Sequence, residues 1–136
     1  MTVKALDTNV LARFFIDDPE DAEAPKQRPA AIAAMSDRAY VSVTVLLEFE
    51  WVMRGFYTLS RREISRVMRA LIGIEHITIE DRTATLVALD AFDTGLDFAD
   101  ALHMARSLRA AAFVTFDQRL AKRARGVASM PLVELL

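Results

Sequence analysis

The apolar residues along the chain fall into short continuous runs separated by longer stretches of helical spacing. Runs at residues 3–6, 40–43, 76–79 and 112–116 predict buried strands, and residues 132–136 predict an edge strand. Strands joined by helical segments imply crossover connections. We therefore predict an α/β fold: a three-layer domain with a central, mostly parallel sheet of four to five short strands flanked by helices. The predicted helices span about 9–15, 30–35, 44–56, 60–72, 81–92, 97–108 and 118–125.

Several helix boundaries carry recognisable capping residues. Ser60 with Glu63 three positions later forms a capping box, and Gly73 is the expected stop of that helix. Asp81 is the expected cap of the next helix. At the start of the chain, Thr8 or Asn9 can cap the first helix, which leaves the preceding Asp7 without a capping role.

The segment between the first two predicted helices is acidic and contains prolines. Residues 17–23 hold five acids, and Pro25 and Pro29 extend the expected loop up to residue 30. No glycine is present for the tight turn of a calcium-binding loop. We therefore interpret this segment as a solvated connector.

Length and composition narrow the class of protein. The 136 residues predict a single domain, residues 1–136, and 53% apolar residues are typical of a globular chain. The absence of cysteine excludes disulfides, thiolate zinc sites and cysteine nucleophiles, and fits a reducing compartment. Because no long apolar segment is present, we expect neither a signal peptide nor a membrane span and predict a cytoplasmic protein.

Charge is unevenly distributed, although the net charge is only −2. Residues 54–69 hold five arginines against one glutamate, and residues 106–125 hold six basic residues against one aspartate. Arginine pairs with phosphates through a planar fork, so these segments are candidate nucleic-acid contacts. Ordinary solvated helix faces would give the same pattern.

Carboxylates follow or flank the predicted strands. Asp7 follows the first strand and Asp117 the fourth, and ligands bind at the carboxyl ends of parallel strands, so we expect both acids at one crevice. Asp117 can also be a helix cap. Glu48 is predicted to face the apolar stripe of its helix and to need a cation or hydrogen-bond partner, whereas Glu50 is predicted to form a surface pair with Arg54.

A second group of titratable residues lies at the start of the sixth predicted helix. Asp97 and Asp100 occupy its first turn, where the helix dipole alone favours acids. His103, one turn later, is either structural or a proton carrier. Carboxylates without cysteine suit Mg²⁺ or Mn²⁺ rather than zinc, and such ions support hydrolysis of a phosphodiester, with the basic segments holding the nucleic-acid backbone.

Three stretches in this order resemble the PIN-domain ribonucleases, specifically the VapC-type toxins of bacterial type II toxin-antitoxin systems: "LDTNVLARFF" at 6–15, "VSVTVLLEFEWVMR" at 41–54 and "DFADALHMARSLRAAAFVTFD" at 97–117. The resemblance implies four catalytic, metal-binding acids, Asp7, Glu48, Asp100 and Asp117. Around them it implies an outer set comprising Thr8, Asn9, Asp97 and Thr115.

The same resemblance implies cleavage of RNA with Mg²⁺ or Mn²⁺, a homodimer, and inhibition by a small antitoxin that inserts a segment into the acidic crevice. Other interpretations remain open. A haloacid-dehalogenase-type phosphohydrolase also has an aspartate after its first strand, but it needs a second aspartate where this chain has Asn9. A receiver-like phosphorylation switch lacks its paired acids here too. A PIN-like module that binds RNA or a partner without cutting fits the same motifs.

Overall fold

The computed structural model describes residues 2–136, and these residues form two compact units: an N-terminal unit up to Glu80 and a C-terminal unit from Asp81 to Leu136. The described residues contain seven helices and five strands. No helix among them is long and apolar enough to cross a membrane.

The N-terminal unit is a parallel sheet with four helices. Its strands are β1 (Lys4–Ala5), β2 (Ala39–Val41) and β3 (Ile77–Ile79), hydrogen-bonded in the order β1-β2-β3. Two neighbouring parallel strands must be joined by a crossover connection, and in this unit helices form the connection between each pair of consecutive strands. These helices are α1 (Thr8–Phe15), α2 (Ala24–Ser36), α3 (Val43–Gly55) and α4 (Arg61–Ile72).

The core of this unit is built from helix faces and central strand residues. On α3 the side chains of Leu46, Phe49 and Met53 are fully buried, and their spacing of three and four residues places them on one face of the helix. Val41 on β2 is also fully buried. The capping box of Ser60 and Glu63 opens α4, which confirms that prediction.

The C-terminal unit contains three helices and two parallel strands. They are α5 (Arg82–Asp93), α6 (Phe98–Ala105), β4 (Phe113–Thr115), α7 (Gln118–Ala124) and β5 (Val133–Leu135). Helices α5 and α6 pack together, and the rings of Phe92 and Phe98 meet edge to face, with centroids 6.0 Å apart.

The predicted fold class is confirmed: the chain is α/β, all its strand pairs are parallel, and helices alternate with strands. The five strands are distributed over two hydrogen-bonded sheets of three and two strands, where one central sheet was predicted. Each strand is only two or three residues long, shorter than its apolar run in the sequence. After β2, Ser42 caps α3 and the strand ends at Val41, two residues before the end of its predicted run.

The start of α2 differs from the prediction. The helix begins at Ala24, six residues before the predicted start at Ala30, so much of the expected loop is helical. Pro25 lies in the first turn, where its missing N–H has no partner in any helix. Pro29 lies within the helix and lacks the N–H that would bond to the preceding turn. Proline was therefore a misleading loop signal here.

Two boundaries of the C-terminal unit also differ. Helix α6 ends at Ala105 rather than near Leu108. Ser107, two residues beyond this end, donates a hydrogen bond from its hydroxyl to the carbonyl of His103 within the helix. Asp81 precedes α5 but makes no capping bond with its side chain. Its backbone is left-handed, with φ 52°, and its carboxylate instead pairs with Arg106 at 3.1 Å.

Candidate active site

Asp7 stands at the junction between β1 and α1. Its backbone is extended, and its Oδ1 accepts a hydrogen bond of 2.8 Å from the backbone N–H of Thr8. Asp7 is therefore the N-cap of α1. The prediction that Thr8 or Asn9 caps this helix was wrong, because the helix already begins at Thr8 and both residues lie in its first turn.

Thr8 connects this helix start to Glu48. Its side chain is buried, and its hydroxyl donates a hydrogen bond to Oε1 of Glu48, forty positions later in the chain. Glu48 therefore has a hydrogen-bond partner, as predicted, although the burial from which that partner was predicted is absent. The bond fixes the direction of the Glu48 carboxylate relative to Asp7 and to the first turn of α1.

The predicted environments of the two glutamates on α3 are reversed. Glu50 is buried, at 3% exposure, and pairs with Nε of Arg54 at 2.9 Å, whereas Glu48 is exposed. The buried face of α3 runs through Val43, Leu46, Phe49, Glu50 and Met53. Trp51, three positions after Glu48, is 60% exposed, so the apolar stripe that enters the core lies on another side of the helix.

A groove of about 400 Å³ in the N-terminal unit joins the acidic residues to an aromatic wall. One part is polar and includes Asp7, Asn9 and Glu48, and another carries aromatic rings. The residues lining the groove are Asp7, Thr8, Asn9, Ala12, Arg13, Asp21, Glu48, Trp51, Val52, Phe56 and Tyr57. Four residues predicted from the sequence as site members, Asp7, Thr8, Asn9 and Glu48, thus share one cavity.

Sequence reasoning missed Arg13, which lines the same groove. Its guanidinium donates to Asp21 at 2.6 Å and to Gln27 at 2.7 Å, and it lies 3.7 Å from Asp18. Part of the acidic connector is therefore paired with α1 rather than simply solvated. The sequence feature that could have indicated this role is an arginine on α1 that lies only a few residues before a run of acids.

The aromatic residues of the groove were also missed as site residues. Burial and the negative charge of Asp18 raise the pKa of the Tyr57 hydroxyl above its usual value, so Tyr57 is neutral at pH 7. Trp51 follows Glu48 by three positions on α3, and this spacing could have indicated that the two side chains are neighbours on the helix surface.

In the C-terminal unit, Asp97 and Asp100 interact at the start of α6. Asp97 caps the helix, with its Oδ2 accepting from the backbone N–H of Asp100 at 3.2 Å. Burial raises the pKa of the Asp100 carboxyl, and the negative charges of Asp97 and Asp117 raise it further. The nearby His103 acts in the opposite direction. Three of the predicted acids are thus electrostatically coupled.

Asp117 lies between β4 and α7. Its Oδ1 accepts from the backbone N–H of Leu120 at 3.0 Å, so Asp117 caps α7, as the sequence had allowed. Thr115, at the end of β4, accepts a hydrogen bond of 3.0 Å from the backbone N–H of Asp117. Thr115 therefore positions the turn that carries the carboxylate.

The two basic segments have mixed roles. Arg54, Arg106 and Arg123 make intramolecular contacts, with Glu50, Asp81 and the carbonyl of Gly95 respectively. Other basic side chains of both segments are exposed: Arg61, Arg62, Arg66, Arg109, Arg119, Lys122 and Arg125. These exposed residues leave substantial positive charge at the surface.

The donor set has the chemistry of a site for a hard cation. Its side chains offer carboxylate, hydroxyl and amide oxygens, which Mg²⁺ and Mn²⁺ prefer. Within residues 2–136, however, no three or more histidine, aspartate or glutamate side chains already form a group that could hold a metal ion. The residues fit a divalent cation by donor type.

A comparison with protein-family models gives a match to the PIN domain over residues 4–126, a range that extends across both units. No curated protein and no solved structure matches the chain significantly. PIN domains are generally nucleases, so the match implies binding of RNA or another nucleic acid. With nearly its whole length matched, the chain belongs to the PIN domain family.

Proposed function

We propose that this protein is a metal-dependent endoribonuclease that hydrolyses phosphodiester bonds in RNA. Asp7, Glu48, Asp100 and Asp117 are the proposed catalytic acids and metal ligands. The observation that carries the proposal is the shared groove of Asp7 and Glu48, because the PIN family match and the two acids point to the same chemistry.

The surroundings of these acids orient them for that task. Thr8 holds Glu48 through its hydroxyl, and the first turn of α1 holds Asp7 through its cap. Thr115 positions Asp117, while Asp97 fixes the turn that carries Asp100. Asn9 contributes an amide to the groove. A bound Mg²⁺ or Mn²⁺ would lower the pKa of a coordinated water and neutralise charge on the phosphodiester.

The raised pKa of Asp100 supports this assignment. Burial and neighbouring acids make its ionised form costly, so a cation beside it would relieve repulsion. The exposed arginines and Lys122 supply positive charge for RNA phosphates, and binding through them would weaken as salt concentration rises.

The cellular role extends the proposal. The motif order resembles VapC-type toxins, so we propose that the nuclease is the toxin of a toxin-antitoxin pair, acts as a homodimer of single-domain chains spanning 1–136, and is inhibited by a cognate antitoxin protein. A short reading frame for a DNA-binding antitoxin beside the gene would support this role.

The test of catalysis is cleavage of RNA by the purified protein, freed of any partner. We expect cleavage with Mg²⁺ or Mn²⁺, loss of cleavage with chelator, and recovery when the metal is restored. Asp7→Asn and Asp100→Asn should each lower kcat/KM by more than about 100-fold. Asp37→Asn, at an exposed acid after α2, is the matched control and should retain activity.

Two outcomes would overturn the proposal. Cleavage at the wild-type rate by both Asp7→Asn and Asp100→Asn would show that the site is misassigned. RNA binding without any metal-dependent cleavage would identify a PIN module that binds RNA without cutting it.

A further inference from the structure

The groove that holds Asp7 and Glu48 has two large aromatic side chains at the surface. Trp51 is 60% exposed and Phe56 is 70% exposed, and both line the groove. Trp51 lies one helical turn after Glu48, so its indole is a neighbour of that carboxylate on the surface of α3. An exposed aromatic wall thus adjoins two proposed catalytic acids.

Neither ring is needed to fill the core. Helix α3 buries its opposite face through Leu46, Phe49 and Met53. Phe56 follows the end of α3 and meets Tyr57 edge to face, with ring centroids 4.9 Å apart. This contact supports the Phe56 ring and leaves most of its surface exposed.

The charges in the groove restrict what can lie against these rings. Asp7 and Glu48 are acidic, and Arg13 is engaged by Asp21, Asp18 and Gln27. A phosphate beside the two acids requires a cation, but a neutral nucleobase does not. Nucleobases stack on aromatic side chains whatever their sequence, because every base has a π face. The bases of a duplex are already stacked and paired, so only an unpaired base can do this.

We propose that Trp51 and Phe56 form a stacking platform for an unpaired nucleobase of the RNA substrate, next to the phosphodiester that is cut. This inference rests on the proposed nuclease function and names the residues that position its substrate.

The chain offers a direct probe, because Trp51 is its only tryptophan. The Asp100→Asn variant, which keeps Asp7 and Glu48, is titrated with RNA in the presence of Mg²⁺ while tryptophan fluorescence is recorded. Three ligands are compared at equal phosphate concentration: a single-stranded oligoribonucleotide, the same strand annealed to its complement, and an abasic strand. We expect strong quenching by the single strand and much weaker quenching by the other two.

Kinetics provide the second measurement. Trp51→Ala should raise KM for single-stranded RNA by about 5- to 100-fold, with a smaller change in kcat. Trp51→Phe retains an aromatic face and should recover most of that loss. Leu132→Ala removes a comparably exposed apolar side chain from the C-terminal unit and should leave KM unchanged. Thermal unfolding of each variant checks that the fold is intact.

The outcomes separate this inference from the nuclease proposal. Equal quenching by the abasic and the base-containing strand, or a wild-type KM for Trp51→Ala, would overturn the stacking platform even if cleavage is normal. Conversely, base-dependent quenching in a protein that never cleaves RNA would support the platform and overturn catalysis.

Discussion

The hydroxyl of Thr8 donates a hydrogen bond to Oε1 of Glu48, joining the first turn of α1 to the middle of α3. Thr8 is buried while Glu48 is exposed, so the buried partner sets the position of the exposed one. A carboxylate held in this way loses less rotamer freedom when it takes up its working position.

Replacing Thr8 by valine keeps the shape of the side chain and removes the donor. We expect the free energy of unfolding to fall by about 1 kcal/mol and kcat/KM to fall by about 10- to 100-fold, as for other residues that orient a ligand. Thr8→Ser retains the hydroxyl and should be much closer to wild type. Equal activity of the valine and serine variants would show that the bond does not position Glu48.

The two glutamates of α3 give a paired test of the site assignment. Glu48→Gln should lower kcat/KM by more than about 100-fold with little change in Tm, because Glu48 is exposed and glutamine can still accept from Thr8. Glu50→Gln weakens the pair with Arg54 and should cost about 1 kcal/mol of stability with activity retained. Steady-state kinetics and chemical unfolding measure both effects. The reverse result would favour Glu50 as the functional acid.

The ionised carboxylate of Asp100 should lower the stability of the folded protein while being required for cleavage. Burial and the charges of Asp97 and Asp117 raise the pKa of its carboxyl, so the folded protein disfavours the ionised form that is present at neutral pH. Asp100→Asn removes this charge, and we expect a higher Tm at pH 7 together with loss of cleavage. A lower Tm for the asparagine variant would contradict the electrostatic origin of the shift.

The same shift has a defined pH dependence. Between the ordinary aspartate pKa and the raised pKa of Asp100, the folded state binds more protons than the unfolded state, so stability falls as pH rises through this window. The advantage of Asp100→Asn should therefore shrink as the pH is lowered through this window and be absent below the ordinary aspartate pKa. Tm measured for both proteins across acidic and neutral pH checks this, with Asp37→Asn as the control.

Gly95 occupies a backbone conformation that disfavours other residues. Its φ is 117°, and a Cβ at this position would lie 2.5 Å from Nη1 of Arg123, which donates to the Gly95 carbonyl at 2.7 Å. Gly95→Ala should lower the free energy of unfolding by about 1 to 3 kcal/mol, measured by denaturant unfolding. Gly126→Ala meets no atom within 4 Å and should be close to neutral. Equal stability of the two variants would show that this turn relaxes.

The sequence predicted elements well where one local signal was sufficient. The capping box of Ser60 and Glu63 was correct because both of its bonds lie within four residues. Pro29 misled the prediction because one missing hydrogen bond is tolerated within α2. Asp81 has a capping residue type, yet it pairs with Arg106, a tertiary contact that no local pattern reveals.

The candidate site, too, was predicted correctly in some respects and wrongly in others. Motif resemblance identified Asp7, Thr8, Asn9 and Glu48, which line one groove. Helical spacing did not identify which face of α3 is buried, because Val43 to Met53 carries apolar residues on more than one side. The environments of Glu48 and Glu50 were therefore exchanged.

The capping roles of Asp7, Asp97 and Asp117 have an evolutionary consequence. Asparagine caps a helix about as well as aspartate, so each helix start would tolerate that replacement with little loss of stability. Aspartate and asparagine codons differ by a single base. A lineage carrying this fold is therefore one point mutation away from a stable descendant that keeps its groove and its basic surface while losing Asp7 or Asp117, two of the proposed catalytic carboxylates. A protein with this fold can therefore evolve into one that binds its ligand without cutting it, through a single substitution that the fold tolerates.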